Sequence, residues 1–131
     1  MNRKGFISNL LGLGGLFLVP KQWAKSQKKV WLLECYVAGF KYYEGLQLLS
    51  SMKPDDLLEL VREPENEYDH CAIALKFRGR KIGFIPATEN ELLSKLLDNN
   101  LLELKAQIIH LDISAKSWEQ VFLGVYSNQS I

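Results

Sequence analysis

Two cysteines, Cys35 and Cys71, are all that the 131 residues contain, which excludes a disulfide framework as the source of stability. Neither has a Cys or His neighbour at zinc-ligand spacing, and both lie in apolar runs where a free thiol packs as a small buried hydrophobe, so no metal or other cofactor is expected. The ten-residue apolar run Leu10–Val19 is about half of what a bilayer span requires, and no stable membrane span is expected. The chain has no P-loop and no cluster of acids at metal-binding spacing, so no ATPase or nuclease is written in it. Asp69-His70-Cys71 does not rescue an enzymatic reading, because consecutive strand residues point to opposite faces and His70 cannot easily activate Cys71.

Acidic residues are missing from the start of the chain. Arg3, Lys4, Lys21, Lys25, Lys28 and Lys29 all precede the first acid, Glu34. Of 16 basic and 15 acidic residues, this leaves 10 basic against 15 acidic in the body, a net charge of −5. That is the opposite of the basic footprint usual in nucleic-acid-binding domains, so any such site has to be a local patch.

Residues 1–29 therefore read as a separate N-terminal arm, and residues 30–131 as one domain with enough apolar residues for a core. The arm has the layout of a targeting segment, and Asn2-Arg3-Lys4-Gly5-Phe6-Ile7-Ser8 resembles a twin-arginine export motif with Arg-Lys in place of the pair. No small-x-small cleavage site follows. A degenerate export signal and an amphipathic arm that docks on the domain are the two readings, the second with a cytoplasmic location.

In the body, Val30–Gly39 is apolar and aromatic and reads as a buried strand. Leu46–Met52 is one or two helical turns, closed by Lys53-Pro54-Asp55-Asp56, and Leu57–Glu63 resumes as a strand. Cys71, Ile73, Leu75 and Phe77 alternate with Ala72, Ala74 and Lys76, as in a strand with one buried face. Arg78-Gly79-Arg80 is a tight turn, Lys81–Ile85 the partner strand, and Pro86 its end. A helix is predicted from Thr88, capped by a Thr88/Glu91 box, with the core stripe Leu92, Leu93, Leu96 and Leu97 and a stop at Asp98-Asn99-Asn100. Alternation changes phase between Ile108 and Ile109, which predicts a β-bulge in a long strand, and Trp118–Tyr126 supplies the last strand. The sum is a mainly β fold: a small OB-like or SH3-like barrel of five to six strands, one main helix and a short helical turn.

Three blocks then stand in order: Val37-Ala38-Gly39-Phe40-Lys41-Tyr42-Tyr43-Glu44-Gly45, Leu60 to Ile73 (with Arg62, Pro64, Asn66, Tyr68, Asp69 and Ala72), and Ile82-Gly83-Phe84-Ile85-Pro86. Together they resemble the HIRAN family over roughly Leu32 to Tyr126. The resemblance implies an OB-like barrel that binds single-stranded DNA at 3′-hydroxyl ends and has no catalysis of its own, with a helicase or repair protein as a possible partner. By the same resemblance Asp69 would hold the 3′-hydroxyl, Tyr68 would lie beside it, and Lys41 would meet a phosphate. Asn66 would brace the loop or touch the terminal nucleotide, and Phe122 would floor the pocket.

The residue chemistry fits that expectation. Tyr42, Tyr43 and Tyr68 offer flat faces for unpaired bases, and a carboxylate accepts from a terminal hydroxyl while repelling phosphate. Arg62, Arg78, Arg80 and Lys81 are candidate phosphate contacts if the hairpin lies beside the pocket. The family's usual Arg is Lys41 here, Glu67 stands where proline is common, and Ala87 where a basic residue is common; each change lowers the expected affinity. Packing and local turn bonding are the alternative roles for these residues, and an exported or adaptor barrel that binds a protein or another ligand is the alternative function.

Overall fold

The computed structural model describes residues 27–130; the N-terminal reading of residues 1–26 lies outside them. Residues Lys29–Asn128 form one compact unit. Six strands, β1 (Gln27–Tyr36), β2 (Leu57–Arg62), β3 (Ile73–Phe77), β4 (Arg80–Phe84), β5 (Lys105–Leu111) and β6 (Val121–Ser130), form one sheet in the order β1-β6-β5-β2-β3-β4. Among the described residues, two helices, α1 (Gly45–Leu48) and α2 (Asn90–Asp98), and three 3₁₀ turns accompany the sheet. The sheet curls until its outer strands approach. Just past β1, Ala38 pairs with Phe84 of β4: the Ala38 amide donates to the Phe84 carbonyl and the Phe84 amide to the Ala38 carbonyl, both at 2.9 Å. This bridge, with the Glu44 amide donating to the Lys81 carbonyl at 3.0 Å, joins the edges of an otherwise partly open barrel.

Gly83 makes the bridge possible. Its φ is 151°, and a Cβ there would collide with the Ala38 carbonyl oxygen and lie 2.5 Å from Val37 Cγ1. The hairpin between β3 and β4 turns on Arg78 and Gly79, with φ of 52° and 81°; two positive values define a type I′ turn, whose twist matches that of the strands. The turn is one residue shorter than the sequence reading, since Arg80 already pairs with Phe77. The register shift of β5 against β6 falls between Ile108 and His110, at the predicted change of phase. Side chains on both sides of that shift enter the core, where Phe40, Ile73, Leu75, Phe77, Ile82, Ile85, Ile108, Val121, Leu123 and Val125 are fully buried.

Several expectations are corrected. β1 is an outer strand, bordered by β6 alone among the described residues, with Val30, Trp31, Leu32 and Tyr36 exposed. Ala72 and Ala74 are as buried as Ile73 and Leu75, so both faces of β3 are covered. Cys35 is buried, and burial, helped by Glu89, pushes its thiol up to about 12; Cys71 precedes β3 and is only partly buried. α2 starts at Asn90 with Glu89 at its cap and no side-chain capping bond, so the Thr88 box does not form. Leu93 is buried and Leu96 and Leu97 pack on the core, but Leu92 is exposed. The helix does stop as predicted: Asn100 has φ 52°, its amide donates to Leu97 and that of Leu101 to Leu96, a Schellman end. Trp118 belongs to a 3₁₀ turn, Ser117–Glu119, ahead of β6.

Candidate nucleic-acid interface

The first block becomes the 3₁₀ turn Phe40–Tyr42, held by the Tyr42 amide donating to Gly39 at 2.9 Å. Phe40 is the anchor, and its ring occupies the space that a Cβ at Gly45 would need. With Phe40 fixed inward, Lys41 and Tyr42 point out; Tyr42 is 74% exposed and the Lys41 ammonium lies 5.2 Å from its ring centre. Tyr43 turns back and meets Phe84 edge-on at 5.6 Å.

The second block is a loop built by its own side chains. Asn66 Oδ1 accepts from the amides of Tyr68 (2.8 Å) and Asp69 (3.1 Å), while its Nδ2 donates to Glu63 Oε1 at 3.1 Å. Asn66 thus braces the loop. Asp69 Oδ1 accepts from the Cys71 amide at 2.9 Å, and Oδ2 from Asn90 Nδ2 at 2.8 Å. Each carboxylate oxygen keeps a lone pair for another donor. Tyr68, at the loop tip, is 92% exposed.

Ala38, Tyr43, Asn66, Tyr68, Asp69, Ala72, Phe84, Ile85 and Ala87 enclose a cavity of about 250 Å³. The third block supplies its Phe84–Ile85 wall, and the bridge between Ala38 and Phe84 lies at its edge. Lys41, Tyr42 and Phe122 are not among its walls; Phe122 packs edge-on against Tyr36 at 5.0 Å.

Three of the four further cations are engaged elsewhere. Arg62 donates to Asp98 (2.8 and 3.1 Å) and to the carbonyls of Ala72 (2.6 Å) and His70 (3.0 Å). Arg80 pairs with Glu44, and Arg78 lies over Phe77 at 4.7 Å. Lys81 is the one set against the cavity wall: its ammonium lies 5.2 Å from the Tyr43 ring and 4.8 Å from that of Phe84, and it pairs with Glu63 at 2.6 Å. Glu63, Phe84 and Asn90 were not singled out from sequence. Glu63 and Phe84 stood within the motif blocks, but nothing local marks Asn90, a buried residue on the first turn of α2.

The Asn90 side chain, then the Cys71 amide, hold the Asp69 carboxyl below the usual carboxylate range. Burial works against ionisation of Glu63, but hydrogen bonds from Lys81 and Asn66 outweigh it and lower that group too. Depressed carboxylates bind protons less readily than the unfolded chain, so their contribution is complete above about pH 4.5 and is lost as pH falls through their folded values. The unfolding midpoint in urea is therefore expected to drop progressively below about pH 4. Replacing Glu63 and Asn90 by Gln and Leu should flatten that drop; an unchanged profile in the double variant would contradict these contacts.

A curled antiparallel barrel with a small aromatic and carboxylate cavity at its rim defines a binding module of the OB-like class. The HIRAN domain family model matches residues 30–127, and the chain belongs to that family of DNA-binding modules. No curated protein sequence matches it. A crystal structure of a protein from Lactobacillus plantarum has a TM-score of 0.68 at 23% identity, covering 79% of this chain and 99% of that one. The crystal structure of the HIRAN domain of human HLTF has a TM-score of 0.60 at 21% identity, covering 75% of this chain and 78% of that one. Both likenesses carry the fold. Among the described residues no helix is long and apolar enough to cross a membrane.

Proposed function

We propose that this domain binds the 3′-hydroxyl end of single-stranded DNA in the cavity between Tyr43, Tyr68 and Asp69. The observation that carries the reading is Asp69: an ionised carboxylate, fixed by Asn90 and the Cys71 amide, with acceptor capacity left on both oxygens at an aromatic-walled cavity. An acceptor-only group attracts a terminal hydroxyl and repels a terminal phosphate. Tyr68 and Tyr43 supply sequence-independent stacking, and Lys81, shared with Glu63, is the cation nearest the cavity wall for a phosphate. Lys41 and Tyr42 extend the contact outside the cavity.

Fluorescence anisotropy with oligonucleotides ending in a free or a phosphorylated 3′-hydroxyl tests this. A hydrogen bond to a charged group contributes about 1.5–3 kcal/mol, so the free end should bind roughly 10- to 100-fold more tightly. Asp69→Asn should remove the preference with the circular dichroism spectrum unchanged. Tyr68→Ala should weaken both ends alike. Equal affinity of the native domain for the two ends would falsify the proposal.

A further inference from the structure

Asp69 is held at two points, by two different parts of the chain. One is local: Oδ1 accepts from the Cys71 amide two residues on, a contact that an aspartate at a turn makes unaided. The other comes from outside the loop. Oδ2 accepts from Nδ2 of Asn90, on the first turn of α2, at 2.8 Å. Asn90 is 2% exposed, and this is its one side-chain hydrogen bond among the described residues. Burying an amide costs free energy unless it is hydrogen-bonded, and the helix start does not use this one, since Glu89 holds the cap position. Asn90 does not line the cavity, so its amide serves Asp69 and nothing in the cavity itself.

A carboxylate fixed through one oxygen still pivots about that contact. The second point fixes its plane, and with it the directions in which the remaining lone pairs face. The two DNA ends respond differently to that plane. A terminal hydroxyl gains only when its proton meets a lone pair within a limited range of angle, whereas repulsion of a terminal phosphate depends on charge and distance and survives a tilt.

We infer that Asn90 sets the preference for a 3′-hydroxyl as a positioning residue: it holds the plane of the Asp69 carboxylate from α2 without touching the strand. The inference rests on the end-binding reading. Arg62, which joins Asp98 on the last turn of α2 to the carbonyls of His70 and Ala72, keeps the loop on the helix when position 90 is changed.

The test compares the native domain with Asn90→Leu and Asn90→Asp, using oligonucleotides with free and phosphorylated 3′ ends. Asn90→Leu removes the donor. The preference for the free end should shrink by about 2- to 10-fold, the equivalent of one side chain left for the ligand to order. In the same variant the Asp69 carboxyl, followed by carbon NMR, should titrate higher than in the native protein, toward the ordinary range. Asn90→Asp keeps the shape but donates only when protonated. Two carboxylates in contact cannot both stay ionised cheaply, so the pair takes up a proton as pH falls. Free-end affinity of this variant should lie well below the native value at about pH 8 and approach it at about pH 5.5. Arg62 and His70 are the charged groups whose fields reach Asp69, and Glu89 and Glu91 flank position 90; all four are present in the three proteins, so the native profile accounts for them. Should Asn90→Leu fail to fold, Asn90→Asp alone decides. If Asn90→Leu keeps the native preference and the native Asp69 titration, or if Asn90→Asp trails the native protein by one factor at both pH values, the positioning role is overturned while end binding stands. If the native protein shows no preference for the free 3′ end, both ideas fall.

Discussion

Replacing Gly83 by alanine is expected to lower the free energy of unfolding by about 2–4 kcal/mol. At φ 151° an L side chain is strained, and the added methyl group would meet the Ala38 carbonyl and Val37. Neither can yield freely: Val37 is 2% exposed, and Ala38 makes both hydrogen bonds of the closing bridge. Strain at such a backbone position costs roughly 1–3 kcal/mol, and overpacking a filled core adds a similar amount. Because Ala38 and Phe84 line the cavity, DNA binding should weaken along with stability. Urea denaturation read against oligonucleotide anisotropy checks both. A loss under about 1 kcal/mol with native affinity would mean that the bridge is not needed to shape the cavity.

Arg62→Met is the second large effect expected, about 2–3 kcal/mol of stability together with weaker binding of either DNA end. The guanidinium is only 15% exposed and reaches Asp98 on α2 and the carbonyls of His70 and Ala72 in the loop that carries Asp69. Removing it leaves two carbonyls without that donor and unties loop from helix. The hydrogen bond with Asp98 raises the Arg62 pKa, so the guanidinium stays charged throughout the working range. Lysine should restore little, since a single ammonium cannot span three acceptors. A direct phosphate contact would behave differently. In that case Arg62→Met would leave the urea midpoint alone and reduce the salt slope by about 0.7, and that outcome would displace the bracing role.

The contrast between these residues shows what can be read along a chain. The Arg78-Gly79 hairpin, the Asn100 helix stop and the bulge after Ile108 are set by chemistry within a few residues, and each forms where the sequence places it. The Thr88/Glu91 box is equally local and does not form, because the chain turns after Pro86, with the Glu89 amide donating to the Pro86 carbonyl, and helix begins only at Asn90. Exposure of β1 escapes the sequence for another reason. Val30, Trp31 and Leu32 have strand composition, but composition does not say that a strand will lie at the end of the sheet. In the site, the motif blocks bring Tyr43, Asn66, Tyr68 and Asp69 to one cavity. The partner that fixes Asp69 is Asn90, 21 residues further on, and only the folded chain joins them.

The pairing of cations around the cavity has a consequence for competition between sites. Lys81 is shared with Glu63, Arg80 with Glu44 and Arg62 with Asp98, on a body that carries more acid than base. Internal phosphates outnumber termini on any long strand, so a module with free surface cations would spend its time along the middle of the polymer. Cations whose charge is already matched, as these three are, have little hold there. On the proposed end-binding reading, weak attraction of these three cations to the middle of a strand would leave the domain available for the one position that counts.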